Sequence, residues 1–229
     1  LHNIKSGIAK DTVCKNDRPN ITDGDLCSVK CSAVIIAGGL NSRMGGKNKA
    51  FLKIGNKTII ERLLDTLYSI FDDIVLVTRK PELYEHYSVR IVTDIFDDRS
   101  SLTGIHSGLY HAENPFAFVA PCDAPFLQKA FIKMIIESIS PENDVIIPHH
   151  DGYYEPLCAA YSKRCLPKIE AQLNSKNYRI FDFFDTVNVK EIGSEAIRSV
   201  DPDMLSFFNV NTPDTLARSI KVLEEKGYC

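Results

Sequence analysis

"CSAVIIAGG", Cys31 to Gly39, is the stretch on which the fold of this 229-residue chain turns. Ala33, Val34, Ile35 and Ile36 form a continuous apolar run rather than an alternating one, the pattern of a strand buried on both faces. A pair of glycines ends the run. Glycines at a strand end let backbone N–H groups approach an anion closely and cup it. The loop continues through Arg43, Gly45, Gly46, Lys47 and Lys49. Arg43 offers a planar fork for phosphate oxygens, and Lys49 a mobile point charge suited to a phosphate under attack. The spacing is neither the P-loop pattern nor the dinucleotide fingerprint, so phosphate binding is the expectation and the guest is open.

Working outward, short apolar runs alternate with runs of helical period. "TIIERLLDTLYSIF" places Ile59, Ile60, Leu63, Leu64, Leu67, Ile70 and Phe71 at helical spacing. "DIVLVT", "VRIVTD", "FAFVA", "DVIIP", "LCAAY" and "TVNVKEI" read as strands. "LTGIHSGLYHA" and "LQKAFIKMIIESI" read as helices, with two more near 165–174 and 178–184. A last helix follows Thr212 as N-cap and Pro213, and ends at Gly227. This alternation predicts a three-layer α/β/α fold with a mostly parallel central sheet. Residues 1–30 are polar and aperiodic and read as an N-terminal extension. Residues 31–229 read as a single domain.

Composition bounds the function. The chain is 44% hydrophobic and 25% charged, with a net charge of −3, so a broad nucleic-acid surface is not expected and any anion site is local. No apolar run approaches a membrane span, and no signal-peptide core is present, which predicts a cytoplasmic protein with no membrane partner. The chain opens on Leu1 rather than Met, consistent with a start inside a longer product. Seven cysteines, an odd number, match a disulfide framework poorly. Cys27-x3-Cys31, with Cys14 nearby, has no matching pair at zinc-finger spacing.

In such folds ligands bind outside the carboxyl ends of the strands, and four segments there carry chemistry. Asp123, in "FAFVAPCDAPF", suits a Mg²⁺ ion, which uses one or two carboxylates plus substrate phosphates. Its other reading is the cap of a helix starting near Pro125. Asp94 ends "RIVTD" and could bond a ribose, a base or a metal, whereas Asp97, Asp98 and Arg99 read as solvated loop charges. Ser100, Ser101 and Gly104 form a small-residue helix entry, a candidate anion or base contact. Asn209 and Asn211 flank one Val, so in extended chain they face the same way. Their amides either read a ligand or make turns before the last helix. His149 and His150 are adjacent and lack a third ligand, so a metal pair is not expected. Cys122 lacks a cationic neighbour to lower its pKa.

"IIAGGLNSRMGGKNKAFLKIGNKTIIE", "PCDAPF" and "FFNVNTPDTL" together resemble the molybdenum cofactor guanylyltransferases, the MobA family, over roughly residues 32–226. The resemblance implies a Rossmann-like fold of the nucleotide-diphospho-sugar-transferase type. It also implies GMP transfer from GTP to Mo-molybdopterin with Mg²⁺ and release of pyrophosphate. A molybdoenzyme or delivery chaperone would be a further partner. By that resemblance Ile36, Ala37, Gly38, Gly39, Lys49, Asp94, Gly104 and Asp123 bind the nucleotide, and Arg43 steadies the triphosphate. Arg43, Lys49 and Asp123 carry catalysis, Asp123 binds the metal, and Asn209 and Asn211 face the pterin. The cytidylyltransferases of the same pathway tend to show Ala-Ala-Gly where this chain has Ala37-Gly38-Gly39. A cytidylyltransferase or another NTP-dependent nucleotidyltransferase is the alternative, and a non-catalytic nucleotide- or cofactor-binding module ranks below it. The chain departs from the family at Asn48, where Asp is common, and in "LVTRK", where an Asn is frequent.

Overall fold

The computed structural model describes residues 29–38 and 48–227. Residues 1–28, most of the expected N-terminal extension, lie outside the described residues. The first strand, β1 (Cys31–Ile36), has Ala33, Val34 and Ile35 fully buried. Next comes a small hairpin, β2 (Lys53–Ile54) and β3 (Lys57–Thr58), turned at Gly55 with φ 67°, a left-handed value that suits glycine. Helix α1 (Ile59–Tyr68) starts on a capping box: Glu61 N–H donates to Thr58 Oγ1, and Thr58 N–H donates to Glu61 Oε2 at 2.7 Å. Strands β4 (Ile74–Val77) and β5 (Arg90–Val92) follow, then helix α2 (Ser101–His111), N-capped by Ser100. Beyond them lie β6 (Phe116–Pro121), α3 (Lys129–Glu137), β7 (Val145–His150), β8 (Tyr153–Tyr154), β9 (Ala160–Ser162) and α4 (Leu166–Asn174). The chain closes with β10 (Val189–Gly193), α5 (Ser194–Val200) and α6 (Pro213–Lys226).

The main sheet runs β10-β7-β9-β6-β1-β4-β5, with β8 paired to β7. β1 is parallel to β4 and β6, β4 to β5, and β7 to β10. Successive strand residues feed opposite cores, as the two-residue pleat requires. Ala33, Ile35, Phe118 and Ile146 pack with Leu63 of α1, Phe131 of α3 and Ile197 of α5. Val34, Val75, Val119 and Ile147 pack with Ile105 and Leu109 of α2 and with Ile169 of α4. The mostly parallel three-layer architecture is therefore as the sequence predicts. α6 sits over the β2–β3 hairpin, where Leu216 and Leu223 cover Ile54, Ile59 and Val210. No helix among the described residues is long and apolar enough to cross a membrane.

Three details differ from the sequence expectation. β9 is antiparallel to both β6 and β7, because the return from β7 is too short for a crossover helix, and parallel pairing needs one. Residues 180–186 form a 3-10 helix rather than an α-helix. Ile180, Phe183 and Phe184 suit either winding, and the tighter three-residue turn aligns Ile180 with the buried Phe183. α5 is not anticipated at all, since Ile197 is its one buried side chain and no period is visible.

α2 presses hard on β1. A Cβ at Gly108 would stand 2.1 Å from Val34 Cγ1, and one at Gly104 would stand 3.1 Å from Ile36 Cγ2. In an open helix Gly→Ala gains about 1 kcal/mol of propensity. Overpacking a tight core costs about 1–3 kcal/mol, and at 2.1 Å the clash outweighs the gain. Gly108→Ala is therefore expected to lower stability in urea unfolding; an unchanged or higher midpoint would show that α2 can ride further from the sheet.

Candidate active site

The parallel register brings the carboxyl ends of β1, β4, β5, β6 and β7 to one edge. At the end of β1 the backbone is held from both sides: Ala37 N–H donates to Val77 O at 2.9 Å, and Cys122 N–H donates to Ile36 O at 3.2 Å. Gly38 follows, with no atom within 4 Å of where a Cβ would stand. Gly39 and Arg43 lie outside the described residues, as do Cys14 and Cys27.

Between β1, β4, β5 and the start of α2 lies a cavity of about 220 Å³. Ile36, Gly38, Asp94 and Gly104 all line it, so four of the expected nucleotide-binding residues share one space. Ser100 and Ser101 line it from the N-terminus of α2, where backbone N–H groups favour anions. Arg99, expected from sequence to be only a solvated loop charge, stands on the wall of this cavity. Arg79 lines it too, and its Nε donates to Asp94 Oδ2 at 2.7 Å. Arg79 is not among the residues expected from sequence. Its one signal there is a cation directly after the buried "IVLVT" run.

A second constellation forms around Asp123. Lys49 opens a short 3-10 helix (Lys49–Phe51), N-capped by Asn48, whose Oδ1 accepts from Ala50 N–H at 3.1 Å. This turn aims the Lys49 ammonium inward. Nζ donates to Asn211 Oδ1 at 2.5 Å, across 162 positions of sequence, and lies 3.7 Å from Asp123 Oδ2. Val210 N–H donates to Asp123 O at 2.9 Å, which ties the loop before α6 to the end of β6. The capping role for Asp123 does not hold: α3 begins at Lys129, with Gln128 at its N-cap position. Asn211 and Asn209 part ways. Asn211 engages Lys49, while Asn209 Oδ1 is buried without a hydrogen-bond partner among the described residues. An orphaned buried carbonyl oxygen is costly.

Burial raises the Asp123 carboxyl above the usual carboxylate range, and the nearby Lys49 charge offsets part of that rise. Burial, and secondarily the Asp123 charge, pushes the Cys122 thiol up to about 12; Lys49 is a cationic neighbour that the sequence does not suggest, and its charge offsets only part of that rise. Burial likewise pushes Cys31 and Cys165 up to about 12. These thiols stay protonated and are not nucleophiles. His149 and His150 turn apart, as adjacent strand residues do. His149 Nδ1 meets Glu191 Oε2 at 3.2 Å, and His150 Nε2 meets Glu155 Oε1 at 3.2 Å. Asp98 pairs with Lys176 at the surface.

No group of three or more His, Cys, Asp or Glu able to hold a metal occurs among the described residues. The donor set at Asp123, one hard carboxylate in a cleft, does not fit a zinc-type cage of protein ligands. It does fit a cation such as Mg²⁺ that completes its shell with substrate phosphates and water.

Residues 33–187 match the model of the MobA-like NTP transferase domain. The chain belongs to the MobA-like NTP transferase family. A molybdenum cofactor guanylyltransferase of Desulfosudis oleivorans is 42% identical over 188 residues, spanning 82% of this chain and 93% of that protein. The crystal structure of molybdopterin-guanine dinucleotide biosynthesis protein A from Archaeoglobus fulgidus superposes with a TM-score of 0.76. It is 29% identical and covers 85% of this chain and 99% of its own. A nucleotidyl transferase of Methanothermobacter shares the fold at a TM-score of 0.67 and 19% identity, covering 86% of this chain and 99% of its own. This member of the MobA-like family is a nucleotidyltransferase with a sheet edge organised around Asp123 and Lys49.

Proposed function

We propose that the chain transfers the guanylyl group of GTP to Mo-molybdopterin, forming the molybdopterin guanine dinucleotide cofactor and releasing pyrophosphate. The observation that carries this reading is the meeting of Lys49, Asp123 and Asn211 from three distant segments. It occurs on the strand end next to the cavity holding Ile36, Gly38, Asp94 and Gly104. The name of the Desulfosudis relative and the Ala37-Gly38-Gly39 loop favour guanylyl over cytidylyl transfer.

In this reaction a phosphate oxygen of the acceptor attacks the α-phosphorus of GTP. A new P–O bond forms as the bond from the α-phosphorus to the bridging oxygen of pyrophosphate breaks. The acceptor already carries its nucleophilic oxygen, so the protein's work is alignment and charge stabilisation. The cavity seats the nucleoside and the backbone at Ala37, Gly38 and Gly39 cups its phosphates, with Arg43 steadying the triphosphate. Lys49 donates to the non-bridging oxygens as negative charge builds on them. Asn211 holds the ammonium in place before the substrate arrives. Asp123, ionised, would hold Mg²⁺, which when bound polarises the phosphoryl group and orients it. Asn211, beside Lys49, would meet the pterin side of the acceptor.

GTP labelled at the α-phosphorus tests the reaction. With Mg²⁺ and Mo-molybdopterin, α-label enters the dinucleotide product and γ-label leaves as pyrophosphate. Label released as inorganic phosphate, with none in a dinucleotide, would make the protein a hydrolase and defeat the proposal.

A further inference from the structure

We infer that Arg79 is a positioning residue of the nucleotide pocket, acting through Asp94 to set the affinity for GTP rather than the rate of the chemical step. The inference rests on reading the 220 Å³ cavity as the nucleoside seat.

Arg79 stands just past the end of β4, and its guanidinium spans the mouth of the loop after β5. Nε donates to Asp94 Oδ2 at 2.7 Å. One terminal nitrogen donates to the carbonyl oxygens of Asp97 at 2.8 Å and Asp98 at 3.1 Å, and reaches that of Phe96 at 3.4 Å. One side chain thus gathers four acceptors from residues 94–98. Nε and one terminal nitrogen of the rigid guanidinium share these contacts, a two-point hold that a single ammonium nitrogen does not give. The opposite flank of the loop is pinned to α2, where Ile95 N–H donates to Ser107 Oγ at 2.8 Å.

The reason such a brace is needed lies in the loop's own charge. Asp94, Asp97 and Asp98 fall within five residues of one loop, and Asp94 lines the cavity. Carboxylates so close repel one another, and Asp94, on the cavity wall with Arg99, needs a cation directly paired with it if it is not to repel an anionic ligand. Asp98 is drawn outward by Lys176, and Asp94 is drawn inward by Arg79 and lines the cavity. A carboxylate has acceptor sites on both oxygens, so the ion pair fixes the Asp94 carboxylate while leaving it capacity for a ligand's N–H or O–H donors. Ordering this wall before binding removes an entropy cost that the ligand would otherwise bear. None of these contacts involves Lys49 or Asp123, which predicts an effect on nucleotide affinity and little on turnover.

The experiment is steady-state kinetics on Arg79→Ala, Arg79→Lys, Asp94→Asn and the double variant, with Lys176→Ala as a control touching the outside of the same loop. Arg79→Ala is expected to raise the KM for GTP about tenfold, with kcat within about twofold. Arg79→Lys should fall between the two, and Lys176→Ala should match the unaltered protein. Because Arg79 acts through Asp94, the double variant should be no worse than the poorer single one, a non-additivity that independent sites do not give. Fully additive losses, or a fall in kcat at constant KM, would overturn the inference. If Arg79→Ala does not fold, the Arg79→Lys and Asp94→Asn pair decides by the same criterion. Absence of saturable GTP dependence in the unaltered protein would remove the nucleotide-seat reading itself, and the Arg79 role with it.

Discussion

Asp123→Asn is expected to lower nucleotidyl transfer on the order of a thousandfold, without a loss of thermal stability. The carboxylate sits at the end of β6 under cover, 3.7 Å from the Lys49 ammonium, and burial raises its pKa. Ionisation at that place is therefore unfavourable for the fold and is kept for the sake of the cation it would hold. A raised folded-state pKa favours the native state at pH below the unfolded value of 3.8. That contribution is lost as pH climbs through the folded value. At neutral pH the buried charge opposes folding, and the neutral amide does not. The variant should melt at or above the unaltered protein near neutral pH, and the difference should shrink as pH falls toward the unfolded value. Calorimetry across that range, paired with pyrophosphate-release kinetics, checks both halves. Activity close to that of the unaltered protein would show that Asp123 holds no essential cation.

Lys49→Ala is expected to cost on the order of a hundred- to a thousandfold in kcat. Its ammonium bridges Asn211 and Asp123 before substrate arrives, so the charge is already in place and little reorganisation is required. Removing it leaves the Asp123 carboxylate without the cation that offsets its burial. The acid limb of the pH–rate profile should then move to higher pH, because the carboxylate becomes harder to ionise. Lys49→Arg should recover little, since a planar fork does not occupy the position of a compact ammonium. A Lys49→Ala enzyme with normal kcat and an unmoved acid limb would remove Lys49 from the chemistry.

The parts of this molecule that are legible in its sequence are those where one physical demand acts locally. β1 announces itself because a strand buried on both faces must be apolar throughout. α6 does so because Thr212, Pro213 and Gly227 are cap residues, and Gly227 adopts φ 66°. Asp94 and Asp123 are legible as positions at strand ends and Gly104 as part of a small-residue helix entry, and the structure brings Ile36, Gly38, Asp94 and Gly104 around one cavity. What is not legible depends on partners distant in sequence. Nothing in the residues around Asn211 says that its amide will clasp a lysine 162 positions earlier. Arg79 sits in a stretch that reads as an ordinary strand end, and its four acceptors lie beyond the next strand. The direction of β9 is set by the length of the return from β7, not by its own residues.

The most direct test of the central claim is a competition assay. Purified protein, Mg²⁺ and Mo-molybdopterin are given GTP and CTP together, and the two dinucleotide products are separated and quantified by mass. Guanylyl transfer through this site predicts guanine dinucleotide in large excess, with the excess abolished in Asp123→Asn. A cytosine dinucleotide as the main product, or guanine dinucleotide formed equally well by Asp123→Asn, would contradict it.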